Sequence, residues 1–191
     1  MTQINEILAF WFGAPEEEDY GQFRATWFQP DEEFIAEARE RFAGVYERAK
    51  NGELDEWQQT PRGALALILL LDQFSHLLYR DTARAFEADE AARRVTKHAL
   101  ERDFDKEFPD IFRWFFYLPL EHSEDLEDQR RAVELFRALP KNEINATGLD
   151  YAERHRRVIE RFGRFPNRNA ALGRKSTPEE EEFLAGPNAP F

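Results

Sequence analysis

Thr60-Pro61-Arg62-Gly63-Ala64-Leu65-Ala66-Leu67-Ile68-Leu69-Leu70-Leu71-Asp72 marks the centre of a helical fold. Thr60 followed by Pro61 is a helix-start signal, with the threonine as cap and the proline at the first helical position. From Ala64 to Leu71 every residue is apolar. A helix that is apolar all round packs on several neighbours and lies at the centre of a helical fold. Its eight apolar residues fall far short of the ~20 that span a bilayer. Asp72 follows at once. A carboxylate in that place either makes an ion pair, with Arg80 or Arg84 as the nearest candidates, or stands at the mouth of a pocket.

Working outward, helical spacing recurs along the chain. Ile4, Ile7, Leu8 and Trp11 share one face of a first helix that starts at Thr2 or Asn5 and ends at Phe12, stopped by Gly13 and Pro15. Residues 14–30 read as a loop with one turn around Phe23 to Phe28. A longer helix runs from Asp31 to Lys50 before Asn51-Gly52. Ala88 to Leu100 forms another. Pro109 opens the next, and Pro119 ends or kinks it. Ser123 caps a helix reaching Leu139. Tyr151 to Phe162 follows, closed by Gly163, and Thr177-Pro178-Glu179-Glu180 is a capping box ahead of Phe183 and Leu184. Those two residues and Phe191 dock on the core or on a neighbouring molecule. No segment shows sustained strand alternation, and no linker or fixed-period repeat interrupts the pattern. The expectation is an all-α fold: one domain over residues 1–191, with helices packed as antiparallel neighbours around an aromatic core. Eighteen Phe, four Trp and five Tyr in 191 residues supply that core.

Composition narrows the function classes. There is no cysteine, so disulfides, thiol nucleophiles and Cys-ligated metals are excluded. The start of the chain lacks a basic n-region and an apolar h-region, and a cytoplasmic location is expected. The formal net charge of −12 disfavours nucleic acid and anionic membranes as partners. That charge is segregated. Between residues 154 and 175, Arg154, Arg156, Arg157, Arg161, Arg164, Arg168, Arg174 and Lys175 face a single acid, Glu160. This segment is net +7 and the remainder −19. Arginine suits bidentate recognition of carboxylate or phosphate. The run is either an anion site or the internal counter-charge to Glu121, Glu124, Asp125, Glu127 and Asp128.

Glu121-His122-Ser123-Glu124-Asp125 is the densest polar group in the chain. Acids in a first helical turn suit the helix dipole, which accounts for Glu124 and Asp125 but not for Glu121 or His122. His122 and Asp125 share a face at i, i+3. No second ligand pair accompanies them, so no metal and no cofactor is expected. His155 lies on the inward stripe with Tyr151, Val158, Ile159 and Phe162, where its ring nitrogens need partners. Glu121, His122 and Asp125 are therefore expected close to His155 and to at least one of Arg161, Arg164 and Arg168.

With these residues in view, the chain resembles a bacterial family, domain of unknown function 924. The landmarks are Phe10-Trp11-Phe12-Gly13, Leu70-Leu71-Asp72-Gln73-Phe74, Tyr117-Leu118-Pro119-Leu120-Glu121-His122-Ser123-Glu124-Asp125 and Arg161-Phe162-Gly163-Arg164-Phe165-Pro166-Asn167-Arg168-Asn169. The resemblance covers nearly the whole chain and implies a tetratricopeptide-like helical array. One departure stands out. Where the family usually continues Pro-Arg-Asn after Asp72-Gln73-Phe74, this chain has Ser75-His76-Leu77, and Asp81 replaces the glycine after Arg80. The resemblance thus implies that an arginine and an asparagine are lost from a polar pocket.

The functional expectation is a binding or interaction module. Arg80, His155, Arg161, Arg164, Arg168 and Asn169 would line a site for a small anion or an acidic peptide. The alternative is a hydrolase using Glu121, His122 and Asp125 with Asp72 nearby, metal-assisted in its strongest form. The residues alone leave open which of the two holds, and leave the oligomeric state open.

Overall fold

The computed structural model describes residues 2–186; Phe191, expected to dock, lies outside them. Among the described residues the chain is all-α, with no strand. It gathers into two compact units. One is the chain up to Arg80 together with Arg84–Pro119; the other is Asp81–Ala83 with the chain from Leu120 on.

In the first unit, α1 (Gln3–Phe12) is capped by Thr2 and ends at Gly13, whose φ of 87° suits a residue without Cβ. A 3-10 turn, Ala25–Trp27, breaks the following loop, and Trp27 Nε1 donates to the Trp11 carbonyl at 2.7 Å. Next come α2 (Glu32–Lys50), capped by Asp31, and a 3-10 turn at Asp55–Gln59. The stretch that starts at Thr60 becomes α3 (Pro61–Ile68), with the Thr60 hydroxyl accepting from Gly63 N–H at 3.2 Å. Residues Ala64 to Leu71 are at most 1% exposed. They are packed among α1, α2 and α5 (Asp89–Leu100), as an all-round apolar helix requires. Around them Phe74 touches Phe10, Trp11 and Phe42, and Phe115 meets Trp11, Phe12 and Trp27 edge-on.

The structure departs from simple helical spacing after Ile68. Leu69–Phe74 is a π-helical segment, and it passes into the short α4 (Ser75–Leu78). Where every residue is apolar, periodicity carries no signal to separate a π turn from an α turn. Pro119, expected to end or kink its helix, sits inside α6 (Asp110–Glu121) with two residues after it. The N–H it lacks costs the helix one bond, to the carbonyl four residues back.

The second unit contains the end of α6, then α7 (Leu126–Arg137) packed on α8 (Glu143–Phe162). α8 starts at Glu143, eight positions before the expected Tyr151, because the Asn142 side chain accepts from Asn145 N–H at 2.7 Å. Asn145, Thr147 and Gly148 are weak helix formers. Tertiary packing, with Asn145 and Gly148 buried, overrides them. Gly163 closes α8 in the left-handed conformation (φ 68°). A 3-10 turn at Pro166–Arg168 leads to α9 (Pro178–Ala185), whose capping box forms as the sequence indicates. Val158, Ile159 and Phe165 form this unit's small apolar centre, with Leu126, Phe162 and Phe183 against it.

Candidate functional site: a buried Glu-His pair and an arginine face

Glu121 ends α6 and His155 lies in α8. Their side chains are almost entirely buried, and Glu121 Oε1 stands 2.9 Å from His155 Nδ1. The same Nδ1 is 2.9 Å from the Tyr151 carbonyl one helical turn back. Two acceptors thus face Nδ1, which places a proton on that nitrogen. The ring meets Phe165 edge-on at 5.5 Å, and the His122 ring centroid lies 6.1 Å away. Glu121 Oε2 is buried and has no hydrogen-bond partner among the described residues.

The turn from α6 to α7 is fixed by Gln129. Its Nε2 donates to the carbonyls of Glu121 and Ser123, the latter at 2.7 Å. Sequence spacing makes Ser123 the helix cap; the structure gives that role to Asp125. Its Oδ1 accepts from Glu127 N–H at 2.8 Å and Asp128 N–H at 3.2 Å. Ser123 Oγ instead accepts from Asp125 N–H and donates to Asp128. Asp125 is therefore committed to satisfying the orphan N–H groups of a helix start, which leaves it poorly placed for acid–base work.

Glu124 joins distant parts of the unit. It accepts from Phe165 N–H at 2.7 Å and takes both Arg174 Nη groups, at 2.7 and 3.0 Å. Burial acts to raise its pKa, but the Arg174 and Phe165 hydrogen bonds outweigh burial and hold it below the usual carboxylate range. Arg174 also reaches Asn169 Oδ1 and the Phe165 carbonyl, both at 2.9 Å. Replacing Glu124 with glutamine should cost about 2 kcal/mol, the scale of charge-assisted bonds lost from a part-buried network. Urea unfolding would measure the loss.

Other arginines of the run are bonded as well. Arg168, 8% exposed, donates to the His122 carbonyl at 2.8 Å and lies over the Phe165 ring. Arg161 places Nε and Nη2 on Glu179 Oε1, at 3.0 and 2.8 Å. Arg164 grips Glu180 with two bonds, 2.7 and 2.8 Å, and Asn169 Nδ2 adds a third at 3.3 Å. Of the acids from Glu121 to Asp128, Glu124 meets this run through Arg174. Further counter-charge comes from Glu179 and Glu180 of α9 and from Glu160 and Glu153 within α8.

The expected juxtaposition of Glu121 and His122 with His155, and of Arg168 with His122, is present. Asp125 takes another role. Arg80 is exposed and makes no ion pair among the described residues. Asp72 lies in the π segment of the first unit, 1% exposed, and accepts from Gln73 Nε2 at 2.6 Å. Neither Arg80 nor Arg84 reaches it. Arg84 instead engages Glu47 and Glu87 and lies over the Tyr79 ring. Residues 121–125 and the arginines were legible in the sequence; Gln129 and the Glu124–Arg174 and Arg164–Glu180 pairs carried no local signal.

A family model described as "Bacterial protein of unknown function (DUF924)" matches residues 7–188. The chain belongs to this family. A solved structure, "Structure of Protein of Unknown Function ATU0120 from Agrobacterium tumefaciens", is 37% identical with a TM-score of 0.83. The match covers 95% of this chain and 96% of that one. A comparison with curated proteins finds no match. The segment after Asp72-Gln73-Phe74 is built into the fold. Ser75 is buried and donates to the Asp72 carbonyl at 2.8 Å, while His76 packs against Phe86 and lies 3.5 Å from Asp89. No helix among the described residues is long and apolar enough to cross a membrane.

Proposed function

We propose that this DUF924 protein is a cytoplasmic binding module whose arginine face, at the end of α8, takes an acidic peptide. One observation carries the reading. Arg161 in the last turn of α8 and Arg164 just past its Gly163 cap hold the consecutive carboxylates Glu179 and Glu180, and Phe183 packs on Phe162 with ring centroids 5.0 Å apart. The chain therefore carries, on its own α9, an example of the chemistry this face accommodates. A small anion fits less well, because it would compete with carboxylates already tethered to the site. A tetratricopeptide-like array, which the family resemblance implies, suits the presentation of such a face.

The test is fluorescence anisotropy with a labelled Thr-Pro-Glu-Glu-Glu-Glu-Phe-Leu-Ala peptide. Saturable binding is expected, weakening about tenfold or more between low and high salt as the ion pairs are screened. Arg161→Ala with Arg164→Ala should abolish it. Equal binding of a peptide with glutamine in place of every glutamate would overturn the reading.

A second reading rests on the Glu121–His155 pair. A buried carboxylate on Nδ1 orients an imidazole as a general base. Hydrolase screening with ester and phosphoester substrates tests it: activity lost in His155→Gln but kept in Asp125→Asn would support it.

A further inference from the structure

We infer that α9 is the built-in competitor of the arginine face, and that the partner it competes with is an acidic helix of another protein carrying Glu-Glu-x-x-Phe spacing. The inference rests on the reading of this face as an acidic-peptide site.

The spacing follows from which side chains meet. Glu179 goes to Arg161, Glu180 to Arg164, and Phe183, three residues past Glu180, goes to Phe162. On a helix, positions i and i+3 lie on one face, so Glu180 and Phe183 together address the end of α8 and the arginine just past it. The Arg161 guanidinium lies over both rings, 4.7 Å from Phe162 and 5.8 Å from Phe183. An aromatic residue at that place is thus gripped by the same cation that binds the first acid. The helix dipole adds to the match. Acids in the first turn of α9 favour its N-terminal end, and Arg161 in the last turn of α8 favours that helix's C-terminal end.

α9 is held firmly at one point and loosely elsewhere. Glu180 is 2% exposed, hydrogen-bonded by Arg164, Asn169 and Thr177 N–H. The Arg161–Glu179 pair is open to solvent, with side chains 50% and 62% exposed, and exposed pairs contribute little. Only Glu180 of this helix is fully buried, and Phe183 and Leu184 are partly exposed. A helix of eight residues is too short to persist alone in water, so α9 is ordered by this face. A longer partner helix with the same three side chains adds contacts without losing any that α9 makes. Binding in trans then requires α9 to leave, and the measured affinity is reduced by the fraction of molecules in which it is docked.

The experiment compares wild-type chain with Glu179→Gln and Phe183→Ala. Both weaken α9 while leaving Arg161, Phe162, Arg164 and the Glu180 cap in place. Binding of the labelled Thr-Pro-Glu-Glu-Glu-Glu-Phe-Leu-Ala peptide is followed by anisotropy. Circular dichroism confirms the helical content, and size exclusion the mass. About tenfold tighter binding to Phe183→Ala and a smaller gain for Glu179→Gln, with an unchanged monomer mass, are expected. Equal affinity for wild type and both variants would overturn the competitor role and leave the acidic-peptide reading standing. No binding to any of the three would overturn that reading itself. Tighter self-association of the variants, with α9 exchanged between two copies, would replace the partner protein by a second copy and so overturn the partner assignment.

Discussion

Replacing Gly63 with alanine is expected to destabilise the first unit by about 3 kcal/mol, the upper end of ordinary overpacking costs. A Cβ at this position would fall 2.2 Å from the Trp57 carbonyl oxygen and 2.8 Å from Thr60 Oγ1. The first of these is backbone, which cannot rotate away as a side chain does. Relief requires shifting either the 3-10 turn at Asp55–Gln59 or the start of α3. The second shift would disturb the Thr60 cap, which accepts from Gly63 N–H itself, and so add part of a capping loss. α3 leads directly into the buried Ala64–Leu71 core, so its displacement spreads to the packing around it. Gly44→Ala, in α2 with nothing within 4 Å of the added methyl, is the control. It should be neutral or stabilising through helix propensity. Thermal or urea unfolding of the two variants measures the contrast, and equal stability would contradict the clash.

The second large effect concerns Glu121 and His155. His155→Leu should cost about 3–5 kcal/mol, because it strands a buried carboxylate that already has one oxygen without a partner. The single variant is thus expected to be worse than the double variant Glu121→Met with His155→Leu, which replaces both polar groups by apolar volume. A recovery of most of the loss in the double variant is the expected outcome of the thermodynamic cycle. If the two single losses simply added, the pair would not be coupled.

Acid should release α9 in a defined window. Arg164 first, and then the Thr177 N–H, hold the Glu180 pKa at about 2, against a usual 4.5. A depressed carboxylate stabilises the folded arrangement above its unfolded pKa and loses that contribution as pH falls toward the folded one. Docking of α9 is therefore complete at pH 5 and above, and fades between about 4.5 and 2. Amide exchange of residues 178–185 as a function of pH measures it. The Tyr46–Glu47–Lys50–Glu87 network of the first unit titrates in the same direction, since Glu47 and Glu87 are both held low.

The all-helical class, the central position of Ala64–Leu71 and the caps at Thr60 and Thr177 were legible because they depend on neighbours within a few residues. Apolar spacing, a threonine before a proline, and a glycine after a periodic run each express a local energetic preference that needs no knowledge of distant chain. The same locality explains the near-agreement at the starts and ends of most helices. It also explains the failure at Glu143: the weak helix formers Asn145, Thr147 and Gly148 enter α8 because burial compensates for their poor propensity. The π segment was hidden for a different reason, since an all-apolar run has no periodicity to break.

By itself the sequence determined the helices, the inward placement of His155 and the concentration of arginine between residues 154 and 175. Only the tertiary structure decided which acid meets which arginine. Arg174 takes Glu124 across fifty positions and Arg164 takes Glu180 across sixteen, while Asp125 is drawn off to cap a helix. A charge pair has no sequence period. Its partners are chosen by where backbone turns such as Gly163 and the Gln129-braced corner bring them, and by which carboxylates lose enough water to reward the contact.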